Sequence, residues 1–148
     1  MSYSPSEAAQ VLAAVQASRE RVVATATCPP LRHAAFAALF AGLTACPAAG
    51  EYMLLAEVPV LLGVALILVW DRRRTGMFVN GYRAGKTRKV TFTLLALELS
   101  LYGLSAYLAM GQGLRWAPFA LAVPAFALAY AGSKVWARVW KREIEAQA

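Results

Sequence analysis

Residues 31–70 read LRHAAFAALFAGLTACPAAGEYMLLAEVPVLLGVALILVW, and this stretch decides the fold. It holds two apolar runs, 31–49 and 52–70, each close to the about 20 residues that a bilayer-crossing helix uses. Only Pro47-Ala48-Ala49-Gly50-Glu51 stands between them, which predicts a tight antiparallel helical hairpin. Two further apolar runs follow, at 91–110 and 118–136, with Pro118 suited to the first turn of the last helix.

Working outward, the whole composition agrees. The chain has 148 residues, 59% hydrophobic and 16% charged, against about 45–50% and roughly 25% in an ordinary soluble domain. Mean hydropathy is +0.50. A domain this small has too little interior to hide such an excess from water. Four spans would take roughly 80 residues, leaving too few for a separate soluble enzyme domain. Disorder, a secreted disulfide scaffold and a fibrous repeat are excluded by the same figures. The expected fold is all-α: an integral membrane, up-and-down four-helix bundle over residues 31–148, with an extra cytoplasmic amphipathic helix in residues 1–30.

That first helix opens at Ser4-Pro5-Ser6-Glu7, a capping-box pattern with proline at the first helical position. Val11, Leu12, Val15, Val22, Val23 and Ala26 gather on one side as far as Thr27. Arg19, Glu20 and Arg21 interrupt the apolar residues, so this helix does not span.

Charge sets the orientation. Arg19, Arg21 and Arg32 precede the first span. Arg72, Arg73, Arg74, Arg83, Lys86, Arg88 and Lys89 fill the link at 71–90, and Lys134, Arg138, Lys141 and Arg142 close the chain. An even number of spans leaves Arg115 alone on the far side, so the positive-inside rule puts both termini in the cytoplasm of an inner membrane. Trp70, Trp136 and Trp140 at one boundary, and Trp116 and Tyr52 at the other, suit the aromatic belts. The net charge of +7 therefore reads as contact with anionic lipid head groups rather than nucleic acid.

Several motifs fail on chemistry. Gly81-Tyr82-Arg83-Ala84-Gly85-Lys86-Thr87 has three residues between its glycines where a phosphate-binding loop needs four, and the next helix enters lipid. Met77-Phe78-Val79-Asn80-Gly81-Tyr82 suits a small hairpin, but a lone ribbon is marginal, so a basic surface loop is expected. Leu43-Thr44-Ala45-Cys46 is similar to a lipoprotein cleavage box, yet it lies far downstream of where a short leader would place it. Cys28 and Cys46 stand at opposite ends of the first span, about 27 Å apart along a helix, out of disulfide reach. His33 is the single histidine, expected to meet head groups or a loop carbonyl. No cofactor or metal is expected, and no catalytic constellation stands out.

Intramembrane polar groups remain. Glu98 lies deep in the third span, with Tyr102, Ser105, Thr91 and Gln112 on its helical face. Glu57 precedes Val58-Pro59 in the second span, where the proline is expected to kink the helix. By rise, Glu98 stands about 11 Å and Glu57 about 20 Å above the inner ends of their helices, so they are not expected to share a proton. Lys134 is nearer in depth to Glu98. Two roles compete: a polar clamp bonding Glu98 to Lys134, Tyr102 or Ser105, or a hydrated site for a proton or cation. Small residues recur every fourth position at Ala34, Ala38 and Gly42, and at Ala125, Ala129 and Ser133, predicting close helix approach. The function expected is that of a non-enzymatic accessory or scaffold subunit, meeting another membrane protein, a second copy or anionic lipid. The rival is a small oligomeric proton- or cation-coupled transporter using Glu98.

Overall fold

The computed structural model describes residues 9–17, 29–75 and 86–145. Among these, all regular structure is helical. Helix α1 covers residues 9–17. Helix α2 is Pro30–Ala45, followed by a 3-10 turn, Cys46–Tyr52, and by α3, Met53–Thr75. Helix α4 is Lys86–Ala106, ending in a π turn, Tyr107–Gly111, and α5 is Ala117–Glu145.

Three helical stretches, Pro30–Arg73, Thr87–Gly111 and Ala117–Glu143, are long and apolar enough to cross a membrane. The first is not one rod. A straight helix would hold residues 32 and 71 roughly 58 Å apart, yet Arg32 and Asp71 form a salt bridge at 2.6 Å. The chain reverses at Gly50, whose φ of 59° and ψ of −117° lie outside the helical region, in the half of the map that glycine enters without a Cβ clash. The predicted hairpin is therefore present, with its turn within Pro47 to Glu51.

Hydrogen bonds set the directions of the remaining helices. Tyr102 near the end of α4 reaches Glu57 near the start of α3. Thr87 at the start of α4 reaches Glu143 near the end of α5. His33 in the first turn of α2 meets Ser133 late in α5. Successive helices thus alternate in direction.

Helix α5 packs against both α2 and α4, and the seam between them is lined by small residues. Ala37, Ala125 and Ala129 have no exposed surface. Gly132 lies so close to Leu94 of α4 that a Cβ there would come within 2.7 Å of its side chain. Of the two predicted small-residue stripes, the one on α5 (Ala125, Ala129, Ser133) is buried within the chain. The one on α2 is shifted. Ala38 is exposed, and His33, Ala37 and Thr44 are the buried face, while Gly42 lies against Val60 of α3. Helix α3 has no buried residue from Met53 to Arg73, so it leans on the seam from outside.

Element ends differ from the sequence-based expectation in the basic link. Helix α3 runs on to Thr75 and α4 begins at Lys86, so Arg72, Arg73, Arg74, Lys86, Arg88 and Lys89 are helical residues rather than loop residues. Helix α3 passes through Pro59 without interruption, the proline being on its exposed side. Helix α5 continues to Glu145, beyond the apolar run ending near Trp136, and Trp136 stacks on Trp140 at 6.2 Å in that extension. The capping box at Ser4, the hairpin around Asn80-Gly81, Arg83 and Cys28 lie outside the described residues. Every residue of α1 is exposed, including Val11, Leu12 and Val15.

Between helices in lipid the hydrophobic effect contributes little, so close packing and hydrogen bonds hold the helices together. Enlarging the seam should therefore cost more than enlarging the outside. Ala129→Leu is expected to lower stability by about 1–3 kcal/mol through overpacking, and Val123→Leu on the exposed side to leave it unchanged. Unfolding of the purified chain in mixed micelles, followed by helical circular dichroism, measures both.

Candidate functional site

The polar groups buried by the fold sit in layers along the seam of α2, α4 and α5. At one level, the Ser105 hydroxyl of α4 donates to the Thr44 carbonyl oxygen of α2 at 2.6 Å. Both residues are buried. At another, His33 Nδ1 and Ser133 Oγ share a hydrogen bond of 2.7 Å, with Tyr130 edge-on to the imidazole at 6.3 Å. Histidine at the start of α2 was expected to face head groups or a loop carbonyl. Instead its ring turns inward, because α5 offers it a small hydroxyl partner across a gap that alanines keep narrow.

Glu98 lies between these layers. The Ser105–Thr44 bond sets the register of α4 against α2 and places Glu98, two turns earlier, level with Ala37. The His33–Ser133 bond sets α2 against α5 and places Ala37 level with Ala129. Both alanines are fully buried and Glu98 itself is 2% exposed. Alanine at both positions keeps the neighbouring side chains small at the level of the Glu98 carboxyl. Neither Glu98 oxygen has a hydrogen-bond partner among the described residues.

The groups expected to bond Glu98 are placed elsewhere. The Tyr102 hydroxyl donates to Glu57 Oε1 at 2.6 Å, turning out of the seam toward α3. Ser105 is committed to Thr44. Lys134 is exposed, and its ammonium stands over the Tyr130 ring, 4.8 Å from the centroid. Thr91 donates back to the Thr87 carbonyl one turn earlier, and Gln112 donates to the Tyr107 hydroxyl on the exposed side. The polar stripe read from α4 thus divides among four partners, and the clamp drawn from Glu98 to Lys134, Tyr102 or Ser105 does not form.

Two interhelical contacts were missed in the sequence. Arg32 donates through Nε and Nη2 to the Asp71 carboxylate at 2.6–2.8 Å, closing the base of the hairpin with a bidentate fork. The signal was available, since Arg32 and Asp71 are oppositely charged and stand at the two outer ends of the apolar runs that form the hairpin. Thr87 was read only as part of a failed phosphate-loop motif. It is a buried residue whose hydroxyl donates to Glu143 Oε2 at 3.1 Å.

Charge is segregated by the same geometry. The described basic residues of α2, α3, α4 and α5 fall at the end that holds the Arg32–Asp71 pair. Arg115 is at the other end, close to Gly50. An open recess of about 510 Å³ lies beside it, lined by Gly42, Ala45, Cys46, Ala56, Val60 and Arg115 among others. Cys46 is buried and its thiol donates to the Gly42 carbonyl at 3.2 Å. No group of three or more His, Cys, Asp or Glu able to hold a metal occurs among the described residues.

Among the described residues, fold and site together define a helical protein with three stretches apolar enough to cross a membrane and one buried acid, Glu98, in its central seam. Compared with known proteins, the chain matches no family model, no curated protein and no solved structure.

The assignment of partners is testable by double-mutant cycles. Tyr102→Phe and Glu57→Gln should couple by about 0.6–1.7 kcal/mol, the range of interhelical hydrogen bonds in membrane proteins. Tyr102→Phe and Glu98→Gln should instead be additive within about 0.5 kcal/mol. Micelle unfolding of the three single and two double variants reads both cycles.

Proposed function

We propose that the chain is a four-span inner-membrane protein with both termini in the cytoplasm, acting as a non-enzymatic accessory or scaffold subunit of a larger membrane assembly. The observation that carries the reading is the division of its surface. The apolar side chains of α3 and α5 face outward in numbers that only lipid or another membrane helix can cover. The exposed Val11, Leu12 and Val15 of α1 are left without an intramolecular partner among the described residues. The reversal at Gly50 supports counting Pro30–Arg73 as two crossings. Clustering of the basic residues at one end of the helices supports the orientation through the positive-inside rule.

In this reading α1 and the basic turns around Arg72, Arg73, Arg88 and Lys89 present a cytoplasmic surface to anionic lipid or to the partner. Each basic residue near such a surface contributes about 1 kcal/mol. Unpaired Glu98 supports a second reading, a small oligomeric proton- or cation-coupled transporter, because an ionisable group kept inside a membrane bundle without a structural bond is there to change state.

Orientation is checked by thiol labelling in a chain carrying Cys28→Ser and Cys46→Ala. Lys89→Cys and Lys141→Cys should react only after the inner membrane is permeabilised, and Trp116→Cys in intact cells. Reaction of Lys89→Cys in intact cells would overturn the arrangement.

The two functional readings separate on purification in mild detergent. A scaffold subunit co-isolates in fixed proportion with a different membrane protein, and Leu12→Asp with Val15→Asp should weaken that association. A homo-oligomer alone, unaffected by those changes, decides for the transporter.

A further inference from the structure

The layer around Glu98 says what this acid is built to bind. We propose that Glu98 is a proton-binding site of the α2–α4–α5 seam and that its ligand is the proton rather than a metal cation. The site stands on its own geometry; only the use made of the proton rests on the transporter reading.

The donor set carries the choice. A hard cation held inside a protein needs a shell of oxygens, about six to eight for calcium and six in near-octahedral array for magnesium. At the level of Glu98 the facing helices supply Ala37 and Ala129, which have methyl groups and no oxygen to give. The nearest seam hydroxyls are fixed at other levels: Ser105, two turns from Glu98 along α4, on the Thr44 carbonyl, and Ser133, one turn from Ala129, on His33. Backbone carbonyls in this layer belong to uninterrupted turns of α2, α4 and α5. A single carboxyl with both oxygens unpartnered is a poor cage for a metal ion and a sufficient one for a proton. Burying the ionised form without a counter-charge costs several kcal/mol, which binding one proton removes.

The other titratable groups near the seam are accounted for. On α2, His33 is one turn from Ala37, about 6 Å along the axis, toward the basic end. Arg32 of α2 is held by Asp71 of α3. On α5, Lys134 rests on Tyr130. On α4, Tyr102 is bonded to Glu57 of α3.

A hydrophobic carbodiimide tests this without any activity assay. It adds to a protonated carboxyl, the proton going to the carbodiimide nitrogen and the carboxylate oxygen to its carbon, and rearranges to a stable acylurea. The full chain in detergent micelles should be treated with dicyclohexylcarbodiimide across a range of pH, and the adduct located by peptide mass mapping. The expected result is an adduct at Glu98 that rises several-fold from mildly alkaline to mildly acidic buffer. Sodium, potassium, calcium or magnesium at constant ionic strength should leave it unchanged. Glu98→Gln should lose the adduct while keeping its helical content and unfolding midpoint; Glu98→Asp, which keeps a carboxyl, should retain it.

Protection by one of those cations at fixed pH would overturn the proposal in favour of a cation site, while the coupled-transporter reading would survive. Absence of adduct at every pH, in both the native chain and Glu98→Asp, would overturn the site itself. A pH-dependent adduct in a protein whose vesicles show the same proton entry as those bearing Glu98→Gln supports the site and removes the transporter reading.

Discussion

The close approach of α2 and α5 across Ala37 and Ala129 is the constraint on which the other contacts depend. With methyl groups at the contact, backbones come near enough for His33 to reach Ser133, and α4 settles into the same seam with Ser105 on the Thr44 carbonyl. In a lipid environment this matters more than hydrophobicity. Leucine gains nothing by leaving acyl chains for another leucine, whereas close contact and a satisfied hydroxyl do distinguish associated helices from separate ones. The large apolar residues accordingly point outward, as Leu54, Leu61 and Phe119 do, and the buried positions go mostly to alanine, serine and threonine.

Helix α3 is joined in a different way. It has no buried residue from Met53 to Arg73 and is tied near its two ends by polar side chains, Glu57 to Tyr102 and Asp71 to Arg32. The second pair is bidentate, which orients as well as attracts. An outer helix fastened at both ends can slide or tilt less than its sparse packing would allow. Tyr102 is thereby drawn off the seam, and Glu98 loses the neighbour that its own helix would have supplied one turn away. The unpaired acid is a consequence of how α3 is secured.

That consequence bears on function. An acid bonded across helices would have been one more fastening among several. An acid with neither oxygen bonded fastens nothing, so the proposed role of Glu98 rests on its protonation rather than on its contacts. The exposed apolar face of α1 and the charged ends of α3, α4 and α5 are features of another kind. They concern what the protein touches rather than what it holds, and the scaffold reading rests on them.

What the sequence by itself determined is the rough plan: apolar runs of span length, a five-residue link that forces a hairpin, small residues every fourth position on α5, and basic residues at one end. These are local properties, set by composition, helix period and chain length between runs. It also showed that Glu98 would face inward, since an otherwise apolar helix has one place to hide a carboxylate. Only the tertiary structure decided the partners. Helix period places Tyr102, Ser105 and Thr91 on one face with Glu98, but a face spans a wide arc, and rotating toward α2 or α3 separates residues that a helical wheel groups together. The stripe on α2 moved from Ala38 to Ala37 for the same reason, because one residue turns a helix by about 100° and several of its faces are rich in alanine. Which face is buried depends on the register that His33–Ser133 and Ser105–Thr44 lock, and those bonds join residues 61 and 100 positions apart, a distance over which no local pattern carries information.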